Sequence, residues 1–303
     1  MNKLTKKQNE SDLLLLLVSQ RYLYKRSKSF STIATIIALV VYLLSVTAEI
    51  HTINNTNLTY IFAFGLIMYH VVNQLSQKRT ALAAATQELF DRKLYEMRIS
   101  KTHLNFSEQS LIENALKIMN TKPKYYSYQV SNDGNKGGVK NWYALIDDHP
   151  QELSILFCQK ENIMWDQNLR KNFLFFQIGL FVLFLSLVLY LFRNETISEV
   201  LIMTFGSISF IWDRGSKIYK NYTCYIEKKE LRSILEDAFE QINKGDIPDL
   251  YHLTEDIQVR IYNSRKNNYM IPEWFYSISR NDDQKNSSDI IKQLSVSLLR
   301  NQN

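Results

Sequence analysis

The chain has 303 residues, 46% of them hydrophobic, with a formal charge of +6 and an isoelectric point near 9.0. Its two cysteines, Cys158 and Cys224, exclude a disulfide-stapled scaffold, and five scattered histidines carry no zinc-ligand spacing, so no metal is expected. The mean hydropathy of -0.23 is that of a soluble protein, but it averages polar segments over four uncharged stretches, at 30–48, 50–77, 173–192 and 200–212.

Residues 1–29 form a polar and basic leader with one short apolar run, Leu13 to Val18. This run fits one face of an interfacial or packing helix, whose basic end, Arg21, Lys25, Arg26 and Lys28, would lie against anionic headgroups. No small-residue cleavage pattern follows the first long apolar run, so a removable secretion signal is not expected.

Phe30 to Ala48 is free of charge and, at about 1.5 Å per residue, reaches roughly 28 Å, the thickness of a bilayer's hydrocarbon core. The link HTINNTNLTY lacks Lys and Arg, and LTYIFAFGLIMYHVV then supplies a second span. A third span follows at Phe173–Phe192. Glu199 shortens the fourth to Val200–Trp212, below the usual span of about 17 to 25 residues. Cations flank these stretches asymmetrically: Lys78 and Arg79 follow span two, Arg170 and Lys171 precede span three, and Arg214, Lys217 and Lys220 follow span four. By the positive-inside rule, both termini and the middle segment face the cytoplasm, provided that span four crosses.

Between spans two and three, RTALAAATQELFDRKLYEM has helical spacing and no breaker, so span two is expected to continue as a stalk. A helix capped by Ser107 follows, with Glu108 in its first turn. Gly134, Gly137 and Gly138 read as a surface loop, because no Gly-Lys-Ser/Thr ending makes them a phosphate loop. NWYALID and ELSILFCQ read as strands, and Asp147–Asp148 as a turn. After span four, Tyr222–Lys244 is an amphipathic helix ended by Gly245; a second apolar stripe follows through Leu250, Leu253, Ile257 and Ile261, and Ser288 caps a last helix.

The expected class is therefore a mainly α membrane protein, with four transmembrane helices and a cytoplasmic α(+β) domain built from the middle and C-terminal segments. Its parts are residues 1–29, the span pair 30–77, the stalk and α+β segment 78–172, the span pair 173–212 and the helical segment 213–303.

Three segments together resemble the SMODS-associated four-transmembrane effector family of bacterial antiphage defence. They are ATQELFD (Ala85 to Asp91), CQKENIMWDQNLR (Cys158 to Arg170, with Asn141 to Tyr143 upstream) and IQVRIYNSRKNNYMIPEWFYSISR (Ile257 to Arg280). Met97, Arg98 and Ile99 stand where the family pattern would carry a Trp-containing stretch. The resemblance implies an effector of the bacterial inner membrane, activated by a cyclic di- or oligonucleotide from a cognate nucleotidyltransferase and causing abortive infection through a pore or membrane disruption. A homo-oligomer is expected, since four spans enclose little room for water, and no DNA or RNA partner. The alternative is a membrane-anchored sensor or scaffold without a pore; no catalytic constellation supports an enzyme.

A nucleotide needs cations for its phosphates and flat side chains for its bases. Within the matched segments the candidates are Trp142, Tyr143, Trp165, Asp166, Arg170, Arg260, Arg265, Trp274, Tyr276 and Arg280. Trp165 and Trp274 also suit headgroup anchors, and Asp166 with Arg170 suits a helical ion pair. Pore-lining candidates are the polar residues of the later spans, Gln177, Ser186, Thr204, Ser207 and Ser209. Small residues there equally suit close helix packing.

Overall fold

A computed structural model describes residues 3–50, 56–133, 137–143, 149–191, 193, 208–246, 248–267, 269–278 and 289–295. These residues form helices α1 (Lys3–Lys7), α2 (Ser11–Ile50), α3 (Thr56–Tyr95), α4 (Lys101–Leu104), α5 (Glu108–Thr121), α6 (Pro123–Ser131), α7 (Gln151–Leu191), α8 (Ile208–Asn243) and α9 (Leu250–Asn267). Short helical pieces follow at 273–278 and 289–295.

Three of the helices are far longer than a globular core requires: α2 and α3 have 40 residues each and α7 has 41. At about 1.5 Å per residue each is roughly 60 Å long, twice the hydrocarbon thickness. Each is accordingly divided. One half packs into a polar-ended body; the other exposes large apolar side chains, including Ile36 and Leu43 on α2, Phe64 and Ile67 on α3, and Leu183 and Leu189 on α7. A belt of this kind is unfavourable in water and suits lipid. Stretches within Ser11–Ser45 and Gln151–Tyr190 are long and apolar enough to cross a bilayer. Thr204 and Ser207 lie outside the described residues, as does most of the fourth uncharged stretch, which enters the structure at Ile208, the start of α8.

Inside the apolar half, Tyr42, Phe184 and Phe210 form a mutual ring cluster that joins α2, α7 and α8 at centroid distances of 5.3 Å. At Gly65 on α3, a Cβ would stand 2.5 Å from Val41 Cγ2 on α2, so the absence of a side chain permits this close approach. Further along the same pair, Ser27 Oγ lies 3.0 Å from Ser76 Oγ and 2.6 Å from Thr80 Oγ1, satisfying three buried hydroxyls where the helices leave the apolar zone.

The polar-ended body has two cores. One gathers Leu13 and Leu17 of α2, Leu89, Phe90 and Leu94 of α3, Leu111 of α5, Cys158 of α7 and Tyr262 of α9. The other gathers Leu156 and Phe157 of α7, Leu235 and Phe239 of α8, Ile257 and Ile261 of α9, and Ile291. Leu13 to Val18 is thus a packing face, and α2 runs unbroken from it into the first apolar stretch. The stalk is likewise continuous with the second uncharged stretch, in one helix that runs to Tyr95. Ser107 Oγ accepts from the Ser110 amide as an N-cap, and Gly245, at φ +81°, closes α8 with a backbone conformation open to glycine.

The β expectation is corrected. Glu152 to Gln159 belongs to α7, and among the described residues there are no strands, only one isolated bridge between Asp133 and Lys140. Residues 153–161 are buried on every side of α7. A short run that is apolar all round has no helical periodicity to read, so it looks like a buried strand. The rest of NWYALID, after Tyr143, and Asp147–Asp148 lie outside the described residues.

Candidate functional site

The principal cavity, of about 260 Å³, opens where the polar body meets the apolar belt. Its walls come from α2, α3, α6, α7, the end of α9 and the segment 269–276. Five cations line it, Arg21, Lys25, Lys28, Arg170 and Arg265, together with six aromatics, Tyr24, Tyr125, Trp142, Trp165, Tyr269 and Tyr276. Four side-chain amides complete the polar set: Gln20, Gln87, Gln129 and Asn162, each from a different helix.

Six of the ten ligand candidates meet here: Trp142, Trp165, Asp166, Arg170, Arg265 and Tyr276. Tyr143 does not; it is buried in the first core and donates its hydroxyl to Asp91 Oδ1 at 2.8 Å. Arg260 is on the surface, half exposed, and pairs with Asp256 at 3.0 Å. Trp274 lies just beyond the cavity, edge-on to Phe176 at 5.4 Å where α7 enters the apolar belt. Arg280 is outside the described residues.

Asp166 and Arg170 do form the helical ion pair, at 3.1 Å, but both are also tied to α8. Arg170 donates to Asn221 Oδ1 at 3.1 Å, and the fully buried Lys228 Nζ stands 3.6 Å from Asp166. Burial would raise the Asp166 carboxyl, but Arg170 and Lys228 outweigh it and hold it below the usual carboxylate range. The Lys228 ammonium has no hydrogen-bond partner, and burial brings its pKa down to about 8 against the pull of Asp166. Trp165 packs edge-on against Tyr276 at 5.3 Å, giving the cavity an aromatic corner.

Arg265 connects the cavity to a buried network around ATQELFD. It donates to Asp91 at 2.6 Å; Gln258 Nε2 reaches Glu88 at 2.7 Å and Asp91 at 3.3 Å; and Arg92 binds Glu88 at 2.7 Å and Glu255 at 3.1 Å. Desolvation opposes the Arg265 charge, but Asp91 and the surrounding phenols outweigh it and raise its pKa. Helices α3 and α9 are thereby fixed around one wall of the cavity.

Residues that the sequence placed elsewhere supply the rest. Arg21, Lys25 and Lys28 follow the positive-inside pattern, yet their side chains line the cavity. Leu13, Leu17, Arg21 and Lys25 succeed one another at four-residue steps along one face of α2, which passes from buried leucines to the half-buried Arg21 and the exposed Lys25 where the cavity opens. That change from leucine to cation along one helix face is the signal that could have found Arg21 and Lys25.

Of the pore candidates, Gln177 accepts from Asn221 Nδ2 at 3.0 Å, inside the α7–α8 contact, whereas Ser186 is exposed and donates to Val182 O of its own helix at 2.9 Å. Ser209 is the second residue of α8, and its side chain is outside the description. A separate polar cluster sits at the entry to the apolar belt. Asp213 on α8 accepts from the Tyr69 hydroxyl of α3, from Arg214 and, at 3.0 Å, from Lys217, while Thr35 Oγ1 of α2 accepts from Arg214 at 2.9 Å and Lys217 at 3.1 Å. Both cysteines are free and buried.

Comparison with known proteins agrees with the architecture. The chain is 24% identical over 296 residues to a protein of Bacillus cereus (strain VD146) described as a probable CBASS effector molecule, covering 92% of this chain and 94% of the relative. No solved structure matches. The model of the SMODS-associating 4TM effector domain matches residues 2–294, nearly the whole chain, and the protein belongs to that family of membrane effectors.

Proposed function

We propose that this chain is an effector of a CBASS-type antiphage system, in which a cyclic di- or oligonucleotide binds the cavity and the spans then open or disrupt the bacterial inner membrane. The observation that carries this reading is the cavity's composition: five cations and six aromatics converge on one space beside the bilayer boundary. Cations pair with phosphates, bases stack on aromatic faces, and amides satisfy base edges. The relative's description as a probable CBASS effector supports the same assignment.

The N-terminal part of α2, the end of α3, the start of α7, and α9 share one body. That body carries the cavity, and the cation bias at the flanks of the apolar stretches supports a topology in which both termini and the ligand site face the cytoplasm. Four spans per subunit leave little space for water, so the permeating state is a homo-oligomer.

Isothermal titration of the purified protein with a panel of cyclic di- and trinucleotides tests the ligand, and dye release from liposomes tests the outcome. At least one nucleotide binds, and release rises only in its presence. Binding of none, or release at background with a bound nucleotide, overturns the corresponding half of the reading.

A further inference from the structure

One carboxylate of the cavity stands among cations that would equally suit an anion from outside. Glu273, in the helical piece 273–278, binds Lys28 Nζ at 2.7 Å. Lys25 and Arg21 line the same wall one and two turns away on the same face of α2, and the Lys28 ammonium also lies 4.2 Å from the centre of the Tyr276 ring. The neighbouring carboxylate of the cavity, Asp166, is held from the other side by Arg170 and Lys228. The cations of α2 therefore face an anion carried on a short segment rather than on a long helix, and Arg21 also donates to the Gly138 carbonyl.

We propose that Arg21, Lys25 and Lys28 are the phosphate subsite of the cavity, and that Glu273 occupies it as a built-in competing anion until a phosphate group displaces it. This rests on the nucleotide reading above and deepens it. A phosphodiester or phosphate offers several charge-assisted acceptors to three cations, whereas Glu273 is half exposed and bonds one of them, so exchange favours the phosphate. Burial alone would raise the Glu273 carboxyl; Lys28, then Arg21 and Lys25, bring it below its ordinary range, consistent with a pseudo-ligand in a cationic seat.

Displacement has a defined consequence. Glu273 is flanked by Trp274 and Phe275, and these pack on Phe176 and Phe173, at 5.4 Å and 4.8 Å, on the first turns of the third apolar stretch. Releasing Glu273 from Lys28 removes one tie between segment 269–278 and α2, the charged one, and leaves the Lys28 contact with the Tyr276 ring and the aromatic packing on α7.

The test uses the full-length protein in detergent micelles, with inorganic pyrophosphate as the probe and Glu273→Gln, Lys25→Gln and Lys28→Gln as variants. Without probe, Glu273→Gln and Lys28→Gln raise amide exchange across 269–278, and pyrophosphate does the same in wild type. Glu273→Gln binds pyrophosphate about two- to fivefold more tightly, the range set by losing one partly exposed ion pair, and Lys25→Gln binds it more weakly. The proposal is overturned if pyrophosphate binds neither protein, if Glu273→Gln leaves affinity and exchange unchanged, or if cyclic nucleotides bind wild type and Glu273→Gln alike. That last outcome would leave the nucleotide reading standing. Conversely, tighter pyrophosphate binding by Glu273→Gln with no cyclic nucleotide bound would retain the subsite and sink the nucleotide.

Discussion

Arg265 and Asp91 form a buried ion pair, 2.6 Å from guanidinium to carboxylate, that joins the end of α9 to the stalk, and Arg265 also lines the cavity. Tyr143 and Gln258 share the same carboxylate.

Removing one member of this pair strands a charge in a nearly dry site. Asp91→Ala and Arg265→Ala each lower stability by about 3–5 kcal/mol. The double variant Asp91→Leu/Arg265→Met loses less than the sum of the two, since neither charge is then left alone. Thermal unfolding of the detergent-solubilised protein measures both, and additive losses would contradict the coupling.

Trp165 and Tyr276 meet edge to face in the cavity, the arrangement that offers a base one ring to stack on and a second at its side. Trp165→Ala weakens nucleotide affinity about five- to hundredfold, the range for one lost stacking contact, while Arg260→Ala, on the outer surface, leaves it unchanged. Titration calorimetry of the two variants distinguishes a ligand wall from a general loss of fold.

Lys228 supplies a pH dependence. Its folded-state pKa of about 8 lies below the ordinary lysine value, so between the two the unfolded chain holds the proton and the folded one does not. The stability associated with this group is present above the ordinary value and lost as pH falls through about 8. Lys228→Met removes this penalty but also one of the two cations beside Asp166, so any gain near pH 7 is less than about 3 kcal/mol, and the pH-dependent part fades towards pH 10.5. Melting curves of variant and wild type across that interval follow the difference, and a gain independent of pH would rule out the titration.

Asp213 holds two cations of its own helix and the hydroxyl of Tyr69 on α3. Asp213→Ala leaves Lys217 with Thr35 and no carboxylate, and destabilises the junction of α2, α3 and α8 by about 3–5 kcal/mol; Tyr69→Phe, which keeps the ion pairs, costs about 1 kcal/mol. Unfolding midpoints of the two variants should fall in that order.

The long elements were legible in the sequence because their signals are long. The unbroken 40-residue α3, the Ser107 cap and the Gly245 stop all follow from local chemistry, whereas the continuity of α2 and of α7 was not read. The strand error at Glu152–Gln159 came from a segment buried all round, where periodicity carries no information. The cavity was half legible. Trp165, Arg170, Arg265 and Tyr276 stood out as cations and rings in matched segments, but Gln20, Gln87 and Gln129 are single amides on helices far apart in sequence, and only tertiary packing brings them together. Arg21, Lys25 and Lys28 were hidden by a sufficient explanation, since basic residues before a span are expected on any cytoplasmic flank.

Helix α7 is one unbroken rod, and the cavity touches it near its middle, at Trp165 and Arg170. Leu189, 24 residues beyond Trp165, lies roughly 36 Å further along the axis. A tilt of only about 5° about the cavity would swing that far end by about 3 Å. A ligand-sized adjustment is thereby magnified mechanically across the bilayer, with no need for the helix to bend, melt or slide.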